Sequence, residues 1–371
     1  MHRLRTLILA LVVGAVFLAL AAPAMASGDG RGDGAVYTLT NSASGNAVAV
    51  FERDRDGSLT PRGTVPTGGN GTGGGLGSQG ALILDDDRLL AVNAGSNSLS
   101  LLRVDHRGRV RLADVDPSGG VRPISVTVHG KFVYVLNAGN ASTPANIRGF
   151  LALWGRLVPL PGSTRPLSTA APDPAQVEFS PNGRHLVVTE KATNMIVTYR
   201  VRHGYASGPN AQPSAGQTPF GFAFDRRGRL IVSEAFGGAP DASAMSSYSL
   251  SGDGALTPIT ASAKTTETAA CWVVVTGNGR YTYTTNTGSN SISGYRISND
   301  GGLTLLDADG VTAATGAVPL DLALARNSRF LYSLNGGAPE VQGFAVNSDG
   351  SLDVLGTVGG LPAGTVGLAA S

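Results

Sequence analysis

A β-rich run ending in Asn or Glu recurs seven times along this 371-residue chain, and no other feature narrows the possible folds as far. The runs are Val36 to Asn41, Leu89 to Asn93, Phe132 to Asn137, Leu186 to Glu190, Leu230 to Glu234, Tyr281 to Asn286 and Phe330 to Asn335. Their final residues step by 52, 44, 53, 44, 52 and 49. A period of roughly 40–50 residues is that of propeller blades, in which each unit buries its faces only by packing against its neighbours.

Each unit repeats one order of turns. An entry such as Gly120-Val121-Arg122-Pro123 leads into a strand a, and a hairpin such as Ser180-Pro181-Asn182-Gly183-Arg184 into strand b. A tight turn such as Gly95-Ser96-Asn97-Ser98 opens strand c, and Asn299-Asp300-Gly301-Gly302 opens a strand d. Gly, Asn, Asp and Pro supply the positive or fixed φ that such reversals need. Between the turns lie Val, Leu, Ile, Thr and Tyr with no 3.6-residue apolar stripe, which predicts four antiparallel strands per unit. The 52 glycines fall mostly at these turns; the exception is Gly68 to Gly80, which reads as a flexible connector between blades 1 and 2.

The strand count at the two ends predicts closure. The first unit starts at strand b with Val36, whereas Gly360 to Ala370 matches an entry and a strand a with no unit of its own. A propeller must join first and last blades to leave no open sheet edge. The fold expected is therefore all-β, a seven-bladed β-propeller with four antiparallel strands per blade, closed by the C-terminal strand completing blade 1.

Ahead of that ring, Met1-His2-Arg3-Leu4-Arg5, an apolar run from Leu7 to Ala22 and Pro23-Ala24-Met25-Ala26 have the form of a secretory leader. Residues 1–26 are assigned as signal peptide, 27–33 as a short flexible N-terminus and 34–371 as the propeller, which predicts a secreted protein with no membrane attachment after cleavage. The 28 basic residues include Arg3 and Arg5, so the processed chain carries 26 basic against 26 acidic residues. A neutral chain with no basic stripe excludes nucleic acid as a natural partner. Cys271 is the one cysteine, which rules out an intrachain disulfide, and its apolar surroundings indicate a buried structural thiol.

Motifs of other chemistries are absent: there is no G-x-S-x-G, HExxH, CxxC or Walker A sequence. Asp54-Arg55-Asp56-Gly57 sits at a c-to-d turn without the downstream Glu of a calcium loop, so no metal site is assigned. His106, His129, His185 and His203 all fall at or near the turns of one end of the blades. What remains at the other end is the ring of strand-b termini, Asn41, Asn93, Asn137, Glu190, Glu234, Asn286 and Asn335. Five amides and two carboxylates could hydrogen-bond a polyol or lactone, or hold a bridging cation, at the channel mouth. The alternative for the asparagines is to cap the b-to-c turn. Glu190 and Glu234, in neighbouring blades, are the stronger site candidates, and like charges at one position disfavour joint ionisation.

The combination of S-P-x-G-R hairpin, strand b ending in Asn or Glu, S-N-S-I strand c and D-G-x-L turn resembles the seven-bladed propeller lactonases. That family includes the propeller-type 6-phosphogluconolactonases and the carboxymuconate cyclases, with YVTN-like relatives. The stretch Tyr283-Thr284-Thr285-Asn286-Thr287-Gly288-Ser289-Asn290-Ser291-Ile292-Ser293-Gly294-Tyr295 carries the likeness most fully. The resemblance implies an active face at the channel mouth, marked by a His-rich entry, an Arg-His entry in the next blade and a strand-b Glu. Here the entries read Ala171-Pro172-Asp173-Pro174-Ala175-Gln176 and Thr218-Pro219-Phe220-Gly221-Phe222, so Glu234 is the one matched position.

Two functions are expected from different classes. One is a lactone hydrolase, or a lactone-forming enzyme of the muconate-cycloisomerase kind, acting on a neutral or carboxylated lactone. In it Glu234 or Glu190 is the general base and Arg122 or backbone donors stabilise the oxyanion. The other is a non-catalytic extracellular propeller that binds a glycan, a cation or a surface protein. Either is expected to be monomeric, with no cofactor beyond a cation at the mouth.

Overall fold

The computed structural model describes residues 33–106 and 108–371. The leader assigned to residues 1–26 lies outside them, and among the described residues no helix is long and apolar enough to cross a membrane. Seven antiparallel sheets form seven blades, each with four strands in the order a-b-c-d. In blades 3 and 6 the outer strand is split into two short pieces. Among the described residues the lone helical element is a 3-10 turn, Phe236–Gly238.

The closure expected from the sequence is present. Val366–Ala370 pairs antiparallel with Gly34–Leu39, with Val36 opposite Ala370 and Thr38 opposite Leu368. The seam is reinforced by the buried Arg53, whose guanidinium donates to the carbonyls of Asp33 and Ser371 and lies over the Phe330 ring of blade 7.

Blades adhere through a repeated polar clasp set in apolar packing. The Tyr134, Tyr283 and Tyr332 rings are fully buried on strand b, and each hydroxyl donates to a glycine carbonyl in the next blade's c-to-d turn: Gly204, Gly350 and Gly57. Where strand b has no tyrosine, Thr198 and Ser247 of strand c bond Gly254 and Gly301 in the same way. Only glycine fits such a turn: Gly57 has φ +89° and a Cβ there would stand 2.4 Å from Phe330.

The innermost strand of each blade is a sheet edge with unpaired N–H groups, and side chains from the preceding blade satisfy them. Ser125 and Thr127 of blade 3 accept from Val177 and Phe179 of blade 4, and Gln176 of blade 4 accepts from Phe222 of blade 5. Asp321 of blade 7 accepts from Leu368 of blade 1, the closing strand. Between blades 5 and 6 the corresponding residue is Gly221, which has no side chain to offer. Gln79 enters from the far side of the ring instead, its amide bonding both the N–H and the C=O of Val273. A Cβ on Gly221 would lie 2.2 Å from the Gln79 Oε1, so glycine is required for that insertion.

Glu178 lies on the same strand as Gln176, whose amide donates to it. The side chain keeps some accessibility to the narrow lumen, yet burial pushes its carboxyl up to about 8. A carboxyl held neutral by the fold favours the native state less as the unfolded chain ionises freely. Stability should thus fall as pH rises from the ordinary Glu range to about 8, and level off above it. Glu178→Gln is expected to flatten this slope and to stabilise the protein at pH 8 by on the order of a few kcal/mol. Thermal melts of both proteins at pH 5 and pH 8 check it; equal slopes would show that Glu178 ionises freely in the folded state.

Candidate functional site at the channel mouth

Six of the seven strand-b termini end their strands as expected, and Asn41 follows Leu39 by two residues at the equivalent hairpin position. None of the seven side chains opens onto the mouth: Glu190, Glu234, Asn93, Asn137, Asn286 and Asn335 are fully buried and Asn41 is 1% exposed. Their side chains bond strand c, a neighbouring connector, or both. Asn93 donates to Ser98 and Ser100 of its own strand c and accepts from Thr67, which leads out of blade 1. Asn137 donates to Asn146 and to the Ser118 carbonyl, and Asn286 to Ser291 and Ser293. Asn335 donates to Glu340 and Gln342 and borders a cleft of about 190 Å³ with Gly75, Val318 and Gly364.

The two carboxylates are enclosed in the same manner and each has its own donors. Glu190 accepts from the Ser168 N–H and hydroxyl and from Thr193. Glu234 accepts from the Gly216 N–H at 2.8 Å and from the hydroxyls of Ser214, Ser246 and Ser262. Ser214 and Gly216 belong to the connector entering blade 5, Ser246 to strand c and Ser262 to strand d, so one buried side chain joins three segments. Four donors thus converge on its two acceptor oxygens.

The mouth is covered by Gly68 to Gly80, which is fastened rather than loose. Asn41 donates to Gly74 O and Thr72 Oγ1 and accepts from the Thr72 N–H. Ser78 donates to Ile124 O of blade 3 and accepts from the Trp272 indole of blade 6, and the Gln79 N–H bonds Ala175 O of blade 4. A segment with hydrogen-bonding partners in blades 1, 3, 4 and 6 cannot behave as a free Gly-rich linker, and glycine serves here to let backbone pass close to backbone. Gly71 lies against Asn41 and Gly364 against Gly73, where a Cβ would stand 2.1 and 2.5 Å from main-chain atoms.

Accessible charged groups at this face include two from residues opening strand a. Arg122, Asp173, Thr218, Ala269 and Val318 all have positive φ, 50–60°, immediately before strand a. The N–H groups of Arg122, Thr218 and Val318 are capped by Asn97, Asn194 and Asn290 of the preceding blade. In blades 3 and 4 this position places an exposed Arg122 and a half-exposed Asp173. Lys191, one residue beyond Glu190, reaches back to them: its Nζ is 3.4 Å from Asp173, donates to Gly77 O of the covering segment and stands 5.1 Å above the Phe220 ring. Burial depresses the Lys191 pKa, Asp173 opposes that shift and Arg122 is near enough to add to it. Arg122 was legible as a candidate; Lys191 and Asp173 were not, because their convergence depends on the b-to-c loop folding inward. Cys271 lies beneath, its thiol pushed up to about 12 by burial, and takes no part as a nucleophile. Among the described residues no group of three or more His, Cys, Asp or Glu could hold a metal ion.

A closed ring of seven four-stranded blades, with polar residues from the d-to-a entries and b-to-c loops gathered at one mouth, defines the class of enzyme-bearing and binding propellers. The chain belongs to the seven-bladed β-propeller lactonase family, whose model matches residues 156–235 and 242–365. Comparison with curated proteins gives no match. Among solved structures, a candidate 6-phosphogluconolactonase from Bacteroides fragilis superposes with a TM-score of 0.73 at 18% identity, covering 91% of this chain and 98% of its own. A periplasmic gluconolactonase from Pseudomonas aeruginosa gives 0.68 at 18%, covering 89% and 98%. A hypothetical selenium-binding protein from Sulfolobus tokodaii also gives 0.68, at 11%, covering 92% and 94%. At such identities the likeness is one of fold.

Proposed function

We propose that the protein is an exported lactone hydrolase whose reaction takes place at the mouth beside Arg122, Asp173 and Lys191. The observation that carries this reading is that the mostly buried Lys191 lies beside the half-exposed Asp173 and near the exposed Arg122, two cations and a carboxylate from blades 3 and 4. Family membership supports lactone chemistry in general, and the apolar leader of residues 1–26 supports export. In this assignment Asp173 accepts a proton from water as the oxygen adds to the lactone carbonyl, and Arg122 and Lys191 stabilise the oxyanion. The ring C–O bond then breaks and the proton passes to the departing alkoxide, leaving a hydroxy acid. Glu190 and Glu234 hold the connectors that frame the site. No metal or cofactor is needed for these steps.

The test is a panel of neutral and carboxylated lactones assayed with the processed protein and three variants. Asp173→Asn is expected to lose about 10²–10⁴-fold in kcat, the usual contribution of a general base, with its melting temperature unchanged. Lys191→Met and Arg122→Gln should lower kcat/KM in proportion to the lost oxyanion contacts. Activity that survives Asp173→Asn and Lys191→Met would place the chemistry elsewhere. The enclosure of Glu190 and Glu234 favours one second reading, a glycan-binding propeller without catalysis. If wild-type protein turns over no lactone, that reading stands, and the same variants are to be compared for glycan affinity.

A further inference from the structure

On the face opposite the mouth, the a-to-b turns of blades 6 and 7 and the c-to-d turn of blade 7 enclose a cleft of about 430 Å³. That is within the ~300–1,000 Å³ range of small-ligand sites. Arg326 and Arg329 line it with Asn278, Asn327 and Ser348, and no carboxylate does. Of the acids nearby, Asp86 of blade 2 is largely exposed and 3.8 Å from Arg326, whose guanidinium also donates to the Asp86 carbonyl at 2.8 Å, and Asp349 accepts from the N–H and hydroxyl of Ser351. Arg329 lies over the Phe330 ring with its guanidinium exposed, and Arg280 stands at the rim over Tyr281. The walls are set in advance. The Gly277 N–H donates to Ser328 Oγ at 2.8 Å, joining the two a-to-b turns, and the Tyr281 hydroxyl donates to Ser348 O, fixing the c-to-d turn.

We infer that this cleft binds a small oxyanion, a carboxylate or phosphate group carried on a polar ligand. The Arg329 guanidinium has no ion pair among the described residues, that of Arg326 has only the exposed Asp86, no carboxylate lines the cleft, and guanidinium forks match planar or tetrahedral oxyanions. The neighbouring amides and hydroxyl suit the polyol part of such a ligand. This site is separate from the mouth and independent of lactone turnover.

Calorimetric titration of the processed protein at low ionic strength, with inorganic phosphate and with glucuronate, tests it. Binding of one or both probes is expected, weakening as NaCl is added, and the stronger probe identifies the oxyanion. Arg329→Gln, which removes no ion pair, should cost about tenfold in affinity, the worth of one charge-assisted contact. Arg326→Gln should cost as much, while Arg122→Gln at the mouth should bind as wild type does. Unperturbed melting temperatures of the variants exclude a folding artefact. If neither probe binds at tens of millimolar, or if both blade-7 variants bind like wild type, the site does not exist.

Discussion

Ending the chain at Gly359 should abolish cooperative folding. The deletion removes the innermost strand of blade 1, with buried Val366, Leu368 and Ala369, and strips Gly34–Leu39 of its ladder partner. Val and Leu burial alone contributes roughly 1.5–3 kcal/mol each. The loss also strands a structural acceptor and a donor. Asp321 no longer receives the Leu368 N–H, and Asn41 loses the Gly364 carbonyl to which it donates. Added together, the loss is comparable with the ~5–15 kcal/mol that keeps a typical domain folded. It also exposes a strand edge that can pair with other chains. The expected outcome is aggregated protein, or a broad melt without a cooperative transition, by circular dichroism and light scattering. A sharp melt within a few degrees of the full chain would mean that blade 1 holds without its closing strand.

Substitutions at Glu234 should separate structure from chemistry. Glu234→Ala leaves the Gly216 N–H and the Ser246 and Ser262 hydroxyls buried without their acceptor. Unmaking a buried charged network of this kind costs about 3–5 kcal/mol. Glu234→Gln keeps one oxygen for Gly216, Ser214 and Ser246, and its amide can donate to the Ser262 hydroxyl, so it should cost about 1 kcal/mol. Urea denaturation measures both. The assay on Glu234→Gln carries the functional content: turnover that persists fits a framing carboxylate. A collapse of kcat at unchanged stability would return the general base to Glu234 and count against Asp173.

Blade number, strand order and ring closure were legible because they are local or additive properties of the chain. Turn chemistry at fixed offsets marks each reversal, as with Gly57 and Gly204. The surplus strand near Val366 and the missing one before Val36 could be counted without knowing where either lies in space. Glu234 and its six equivalents could likewise be placed at strand ends, since pattern alone defines a strand terminus. What pattern cannot give is the direction such a side chain finally faces. In a propeller that depends on how the preceding connector lies across the blade. Ser168 and Gly216 reach Glu190 and Glu234 only once two blades are packed together. The covering segment illustrates the same limit. Gly68 to Gly80 has the composition of a flexible linker, but Ser78 and Gln79 meet Trp272 and Val273 some 194 positions away, and those contacts exist only in the closed ring. The repeat in the chain therefore determined the architecture. The tertiary structure alone decided which polar groups are consumed in holding it and which, as with Arg122 and Asp173, stay exposed at the mouth.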